Sequence, residues 1–302
     1  MIKFNEVIRK EGIAVSRSEE IQKLKELAAE IRVETLKILA SHGRGHLGGS
    51  MSIADTFAVL YGAVMKYDPC NPDWEERDWC VLSKGHAGPV MYATLGIEGY
   101  FERSAAYTLN HADSAFPSHT DHLRTRGVDL TTGSLGQGIS EAVGAALAFK
   151  MRKKSNRVYV IIGDGEADEG EVWEAAQFAS HYHLDNLIAF VDNNGRQLDG
   201  STEEVMSHPK GIGAKFDAFG WNVIEVNNGN DVTEILDAVL EAQKVSGVPS
   251  VLILHTVKGK GVSFAEQNGA HSSTLSKEEW EEEIRKAEEN LRRIQRGESE
   301  AA

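Results

Sequence analysis

Cysteine is scarce: Cys70 and Cys80 are the only two in 302 residues, too few for a disulfide framework and without the clustered spacing of a zinc site. Free thiols in a reducing compartment are expected. Long apolar runs are also missing, since none approaches the roughly 20 residues that span a bilayer. Met1 to Val15 mixes Lys3, Arg9 and Lys10 with Glu6 and Glu11 and has no apolar core long enough for a secretory signal. A cytoplasmic protein is the expectation. Positive charge is in deficit, with 32 basic residues against 46 acidic and a net charge of −14. That balance disfavours nucleic acid and anionic membranes as nonspecific partners, so an anionic ligand has to be held by local groups. No internal repeat, low-complexity segment or Gly-x-x-x-x-Gly-Lys-Ser/Thr phosphate loop is visible. The 41% apolar composition is enough to bury a substantial core, as one large domain or two small ones.

What is present centres on two strand-like runs. Val158-Tyr159-Val160-Ile161-Ile162 stops at Gly163-Asp164-Gly165, and Leu187 to Val191 closes on Asp192-Asn193-Asn194-Gly195. Between them, Val172, Ala175, Ala176, Phe178 and Ala179 recur at helical spacing from Glu171 to Tyr182, which makes the segment one βαβ unit. A right-handed crossover makes the strands parallel, and neighbouring strands end roughly 5 Å apart. Asp164 and Asn194 then converge. A carboxylate, an amide oxygen and nearby carbonyls suit Mg²⁺, or Ca²⁺ or Mn²⁺ in its place, with too few protein ligands to fill the shell; a phosphate group completes it. Gly163 and Gly165 permit close backbone approach, and a helix opening near Asp168 points free N–H groups at the same spot. Asp-Gly and Asn-Gly are also ordinary turn formers, and either alone reads as a turn. Asp164-Gly165-Glu166 lacks the alternating oxygen ligands and distal Glu of an EF-hand loop.

The rest of the chain extends this pattern. Ser16-Arg17-Ser18-Glu19 has capping-box spacing before a helix to about Ala40. The glycine-rich stretch Ser41 to Ser50 reads first as a connector, although its two histidines are placed to reach a ligand, and another helix opens near Ser52. Trp79 to Leu82 is a short buried strand ending in Ser83-Lys84-Gly85-His86, a turn that belongs on the ligand edge of an open α/β sheet. Gly99 to Leu130, with His111, His119 and His122, is either a functional loop or a poorly ordered one. Thr131 to Gly138 precedes a helix; as a dinucleotide loop it fails, because no clear strand leads into it and its glycine spacing is reversed. Helices near 209–219 and 232–245 alternate with strands at 221–226 and 251–255, so the fold class is α/β: a mostly parallel twisted sheet with helices on both faces. Lys258-Gly259-Lys260-Gly261 leaves the last strand as a mobile loop whose lysines face phosphate or solvent. Residues 1–302 read as one domain, with a helical segment over about 1–66 and a charged helix over about 277–297 that packs on the surface or on a partner.

Gly-Asp-Gly followed about thirty residues later by Asn-Asn resembles the thiamine diphosphate signature. Gly45-His46-Leu47-Gly48-Gly49-Ser50, Ser83-Lys84-Gly85-His86, Thr131 to Gly138, Lys258 to Gly261 and His271 together resemble the amino-terminal half of transketolase. The resemblance implies thiamine diphosphate and a divalent cation as cofactors, the cation held by Asp164, Asn194 and the backbone carbonyl of Arg196. It implies that His46, His119 and His271 serve substrate and reacting carbon, that His86 lies near the diphosphate and thiamine, and that Gly133 and Leu135 touch the cofactor rings. Glu169 matches a glutamate at the subunit interface that relays to a second, cofactor-activating glutamate on a pyrimidine-binding domain. That domain would begin where this chain ends. The implied protein is therefore the diphosphate-binding subunit of a split transketolase, moving a two-carbon ketol unit from a ketose phosphate to an aldose phosphate. Its implied partner is a pyrimidine-domain subunit, in an α2β2 heterotetramer. The alternatives are a component of another thiamine diphosphate synthase with a specialised acceptor, or a non-catalytic subunit retaining the fold. Leu47, and Thr120 after His119, stand where many relatives have Pro, and His122 is the alternative to His119 for substrate contact.

Overall fold

Ser16 opens the first helix among the described residues by the expected reciprocal cap: its hydroxyl accepts from the Glu19 amide at 3.3 Å, and the Glu19 carboxylate accepts from the Ser16 amide at 3.0 Å. The computed structural model describes residues 16–298, so the expectations for Met1 to Val15 lie outside the described residues. Helix α1 (Arg17–His42) stops at Gly43, whose φ of 79° is the left-handed conformation that suits glycine at a helix end. A two-residue strand, β1 (Arg44–Gly45), leads to α2 (Leu47–Met51), α3 (Ala54–Val59) and a π-helical turn at Leu60–Val64. The glycine-rich stretch is therefore no loose connector: Leu47 to Met51 form a buried helix. Leu47–Val64 is also 18 residues of helix apolar enough by composition to cross a membrane, a run the sequence reading passes over, and 83% of it is buried inside the protein.

Strand β2 (Trp79–Leu82), α4 (Gly88–Ile97), α5 (Gln137–Met151), β3 (Val158–Gly163), α6 (Gly170–His181) and β4 (Leu187–Asn193) build one half of the sheet. The other half is α7 (Thr202–Val205), α8 (Gly211–Ala218), β5 (Asn222–Val226), α9 (Val232–Ala242) and β6 (Ser250–His255), followed by α10 (Ser263–Asn268), β7 (Ser273–Thr274) and α11 (Lys277–Gln295). The five main strands run in the order β2-β3-β4-β6-β5, every pair parallel. The expected α/β class holds, and β3 and β4 are neighbours.

Strand residues alternate between two cores. Tyr159, Ile161, Ile188 and Phe190 face the layer of α1, α3, α4 and α9, while Val158, Val160, Ile162 and Val191 face that of α5, α6 and α8. Within α6 the buried residues are Val172, Ala175, Ala176 and Ala179. Phe178 belongs elsewhere. It is 40% exposed, because at 100° per residue it falls well off the stripe that Val172 and Ala179 share. Helix α11 packs on α1, with Trp280 2% exposed and its indole N–H donating to the Gly43 carbonyl at 3.1 Å. Its charged face carries the Lys37–Glu288 ion pair at 2.9 Å.

Candidate active site

The register pairs Gly163 with Asp192, so the residues that follow β3 and β4 leave the sheet side by side. Asp164 bridges the two strand ends: one oxygen accepts from the Gly165 amide at 2.8 Å, the other from the Gly195 amide at 2.7 Å. The Asn194 amide is oriented from behind, its NH₂ donating to Asp192 Oδ2 at 2.9 Å while its oxygen accepts from the Arg196 amide at 3.2 Å. Asp192 is fully buried. It also accepts from Lys84 Nζ at 2.5 Å, from Ser52 Oγ at 2.7 Å and from Thr256 Oγ1. Burial raises the pKa of Asp192, but the Lys84 ammonium and these donors outweigh it and hold the group below the usual carboxylate value. At Asp164 burial and then the Asp192 charge outweigh the Gly165 and Gly195 amides and the Lys84 ammonium, and push its pKa up to about 6.

The helix expected near Asp168 opens at Gly170 instead, after a 3₁₀ turn at Gly165–Asp168 whose first amide is already taken by Asp164. The site's rigidity comes from Glu166, 2% exposed, which accepts from Ser83 Oγ at 2.5 Å, the Gly136 amide at 2.9 Å and the Gly163 amide at 3.0 Å. One carboxylate thus fastens together three segments from different parts of the chain.

Beside the strand ends stand four imidazoles. The short β1–β7 pairing, Gly45 against Ser273, brings His46 and His271 to a ring separation of 5.3 Å; His46 lies 5.3 Å from His86 and 5.7 Å from His119, and His86 lies 4.9 Å from His271. Burial, reinforced by Lys84, lowers the His86 pKa to about 2. Burial and then Lys258 lower that of His271 to about 4, and burial lowers His46 as well. These three rings are neutral near pH 7, able to donate through one nitrogen and accept through the other.

Together these groups line a cleft of about 350 Å³. His46, His86, His119, Gly133, Leu135, Gly163, Asp164, Gly165, Asn194, Arg196 and His271 all border it. Two predicted candidates do not: Glu169 is exposed at the start of α6, and His122 is exposed beyond the rim. Gly99 to Leu130 is a packed segment rather than a loose one, with Phe116 buried and Tyr92 donating to the Pro117 carbonyl at 2.7 Å. Lys84, Asp192 and Glu166 were not singled out from the sequence, though a carboxylate inside an otherwise apolar strand, as at Asp192, signals that a partner is needed. Of the two environments expected for Lys258, solvent is excluded: the residue is 4% exposed in a docked turn, with Nζ donating to the Arg196 carbonyl at 2.9 Å on the border of the cleft.

The residues fit a cation with a diphosphate. Among the described residues no three His, Cys, Asp or Glu side chains gather as a metal cage; the available donors are one carboxylate, one amide oxygen and one carbonyl, a hard set that leaves room for phosphate oxygens. Lys84 and Lys258 add positive charge, and a Cβ on Gly49 would stand 3.5 Å from Lys84 Nζ and 3.3 Å from His86 Nε2, inside the space a ligand needs.

An open parallel sheet with such a donor set at its carboxyl edge defines a cofactor-binding α/β domain. The thiamine diphosphate binding domain of transketolase matches residues 23–291, and the chain belongs to that family. A 6-deoxy-6-sulfo-D-fructose transketolase subunit of Clostridium sp. (strain MSTE9) is 47% identical over 272 residues, covering 90% of this chain and 98% of the relative. An apulose-4-phosphate transketolase subunit of Phocaeicola vulgatus is 36% identical over 279 residues, covering 88% and 98%. The crystal structure of transketolase from Campylobacter jejuni superposes with a TM-score of 0.81 at 29% identity, over 92% of this chain and 43% of that one. Transketolase from Leishmania mexicana gives 0.78 at 30%, over 91% and 46%. The chain thus spans nearly all of the subunit relatives and less than half of these longer transketolases.

Proposed function

We propose that this chain is the diphosphate-binding subunit of a two-chain transketolase, moving a two-carbon ketol unit from a ketose to an aldose whose far ends carry an anionic group, phosphate or sulfonate. The observation that carries the reading is the span of the matches: almost the whole of two transketolase subunits, and under half of the longer enzymes. A pyrimidine-domain chain supplies the rest, in an α2β2 assembly that faces Glu169 across the subunit boundary. A donor ending in sulfonate is favoured by the nearer relative, which acts on 6-deoxy-6-sulfo-D-fructose.

Asp164, Asn194 and the Arg196 carbonyl would hold the divalent cation, and Lys84 would face the diphosphate. Thiamine diphosphate supplies a thiazolium carbon able to attack a ketose carbonyl and carry the two-carbon unit. The chain's own part is placement and proton handling. Neutral His46, His86 and His271 donate hydrogen bonds to oxygens that gain charge, as an imidazole does only when its pKa is held low. His119, bordering the same cleft, completes the ring of donors around the substrate carbon. Asp192 keeps the Asn194 oxygen turned toward the cation.

Reconstitution tests the proposal. The isolated chain should show no turnover with sulfofructose or sugar phosphates, and adding the pyrimidine-domain chain should restore ketol transfer. Full activity from this chain alone would refute the two-chain arrangement.

A further inference from the structure

Lys84 and Lys258 both enter the cleft, but their ammonium groups have different partners. Lys84 is neutralised by Asp192 at 2.5 Å. The Lys258 ammonium donates to two backbone carbonyls, those of Arg196 at 2.9 Å and Gln197 at 3.4 Å.

Its aim is built into the backbone. After β6 the chain reverses at Gly259, whose φ of 80° is left-handed and where a Cβ would lie 2.5 Å from that of Ala265. The Gly259 amide donates to the Gly48 carbonyl at 3.1 Å. The Lys258 stem then passes Gly48 so closely that a Cβ there would come within 3.0 Å of Lys258 Cγ. A buried cation has thus been threaded to one place.

That place is the turn following Asn194. The turn is closed by the Gln197 amide donating to the Gly200 carbonyl at 2.8 Å and by an antiparallel bridge between Arg196 and Ser201. With both amides used inside the turn or by Asn194, the Arg196 and Gln197 carbonyls are left to the Lys258 ammonium at the border of the cleft. An ammonium is the group that satisfies them without a metal.

We propose that Lys258 is a positioning residue for the cation site: its ammonium holds the Arg196 and Gln197 carbonyls aimed into the cleft before a divalent cation arrives, and gives up the Arg196 oxygen when it does. The inference rests on the cation reading of Asp164, Asn194 and Arg196. A divalent ion bound at roughly 2.1 Å and an ammonium on the same oxygen repel strongly in a partly dry cleft, so the two occupy it in turn.

Amide hydrogen exchange on wild type and Lys258→Met, each metal-free and with Mn²⁺ plus thiamine diphosphate, separates the outcomes. In the metal-free wild type the amides of Arg196 and Gln197, which donate to Asn194 and to the Gly200 carbonyl, should be protected. In metal-free Lys258→Met they should exchange at least about tenfold faster, with the strands of the sheet unchanged, and Mn²⁺ with thiamine diphosphate should restore protection. Equal protection of the turn in both metal-free proteins overturns the proposal. So does faster exchange spread through β3 and β4, which would make Lys258 a general structural residue. If Mn²⁺ with thiamine diphosphate leaves the wild type unchanged in both exchange and calorimetry, the cation site itself fails, and the metal-free comparison still reports on the lysine.

Discussion

Lys84 and Asp192 sit two strands apart, at the ends of β2 and β4, with β3 between them. The lysine's stem passes over β3 beside Gly163, where an added Cβ would meet Lys84 Cδ at 3.7 Å, an ordinary van der Waals contact. The pair is 2% and 0% exposed, so removing one charge strands the other in a low-dielectric interior. Asp192→Asn should therefore cost about 3–5 kcal/mol by denaturant unfolding, and Asp192→Asn combined with Lys84→Met should recover part of that loss, a coupling a double-mutant cycle measures. The histidines add a pH effect of definite sign. His86 titrates near 2 in the fold against an ordinary value of 6.5, so below pH 6.5 the unfolded chain takes up a proton that the fold does not. Stability accordingly falls as pH drops from 6.5 toward 4, and His86→Gln should flatten that slope by roughly 1–2 kcal/mol between pH 6.5 and 5. Asp164 and Asn194 were legible from the sequence because each follows a β-branched run at a turn-forming dipeptide. Lys84 was not, because a charge beside a strand reads as solvated until the neighbouring strand is known, and Asp192 signalled the need for a partner without saying which one.

Among the elements, α11 links stability to the site. Trp280 is buried against α1 and holds the Gly43 carbonyl, which also accepts from the Leu275 amide at 3.4 Å. Gly43 immediately precedes β1, and β1 with β7 sets His46 beside His271. Trp280→Ala should lose about 3–5 kcal/mol in urea unfolding, and because the missing indole also frees Gly43, amide hydrogen exchange at His46 to Gly48 should report a looser segment before global unfolding. The strands, their mostly parallel sense and most helix boundaries follow from periodicity, and α11's apolar edge was visible; the strand order β2-β3-β4-β6-β5 was not. What periodicity does not carry is contact between distant short pieces: β1 and β7 are two residues each, with no pattern to find, and Leu47 to Met51 are helical despite two glycines because tertiary burial overrides their weak propensity. The error at Phe178 has the same origin, a hydrophobic residue counted into a stripe that the helix angle excludes.

For the molecule as a whole, the cleft gathers groups from nearly every segment: the loop after α1, the end of β2, the segment before α5, both central strand ends and the turn after β6. Such a site cannot form in part, so a ligand that occupies it binds the folded chain and not the unfolded one. Linkage then makes binding a stability measurement. At a ligand concentration a hundred times its dissociation constant, thiamine diphosphate with Mg²⁺ should add about 2.7 kcal/mol, a rise of several degrees in Tm for a domain of this size. Neither component alone should reproduce it, because the diphosphate brings charge into a cleft that the cation must balance and the protein offers the cation too few ligands to hold it unaided. Asp164→Ala should abolish the joint shift while changing the ligand-free Tm far less, since the loss of the Gly165 and Gly195 amide contacts is offset by removal of a carboxylate that burial and Asp192 disfavour. A joint shift that survives Asp164→Ala would mean that the cation is held elsewhere, and the convergence of β3 and β4 would then serve the fold alone.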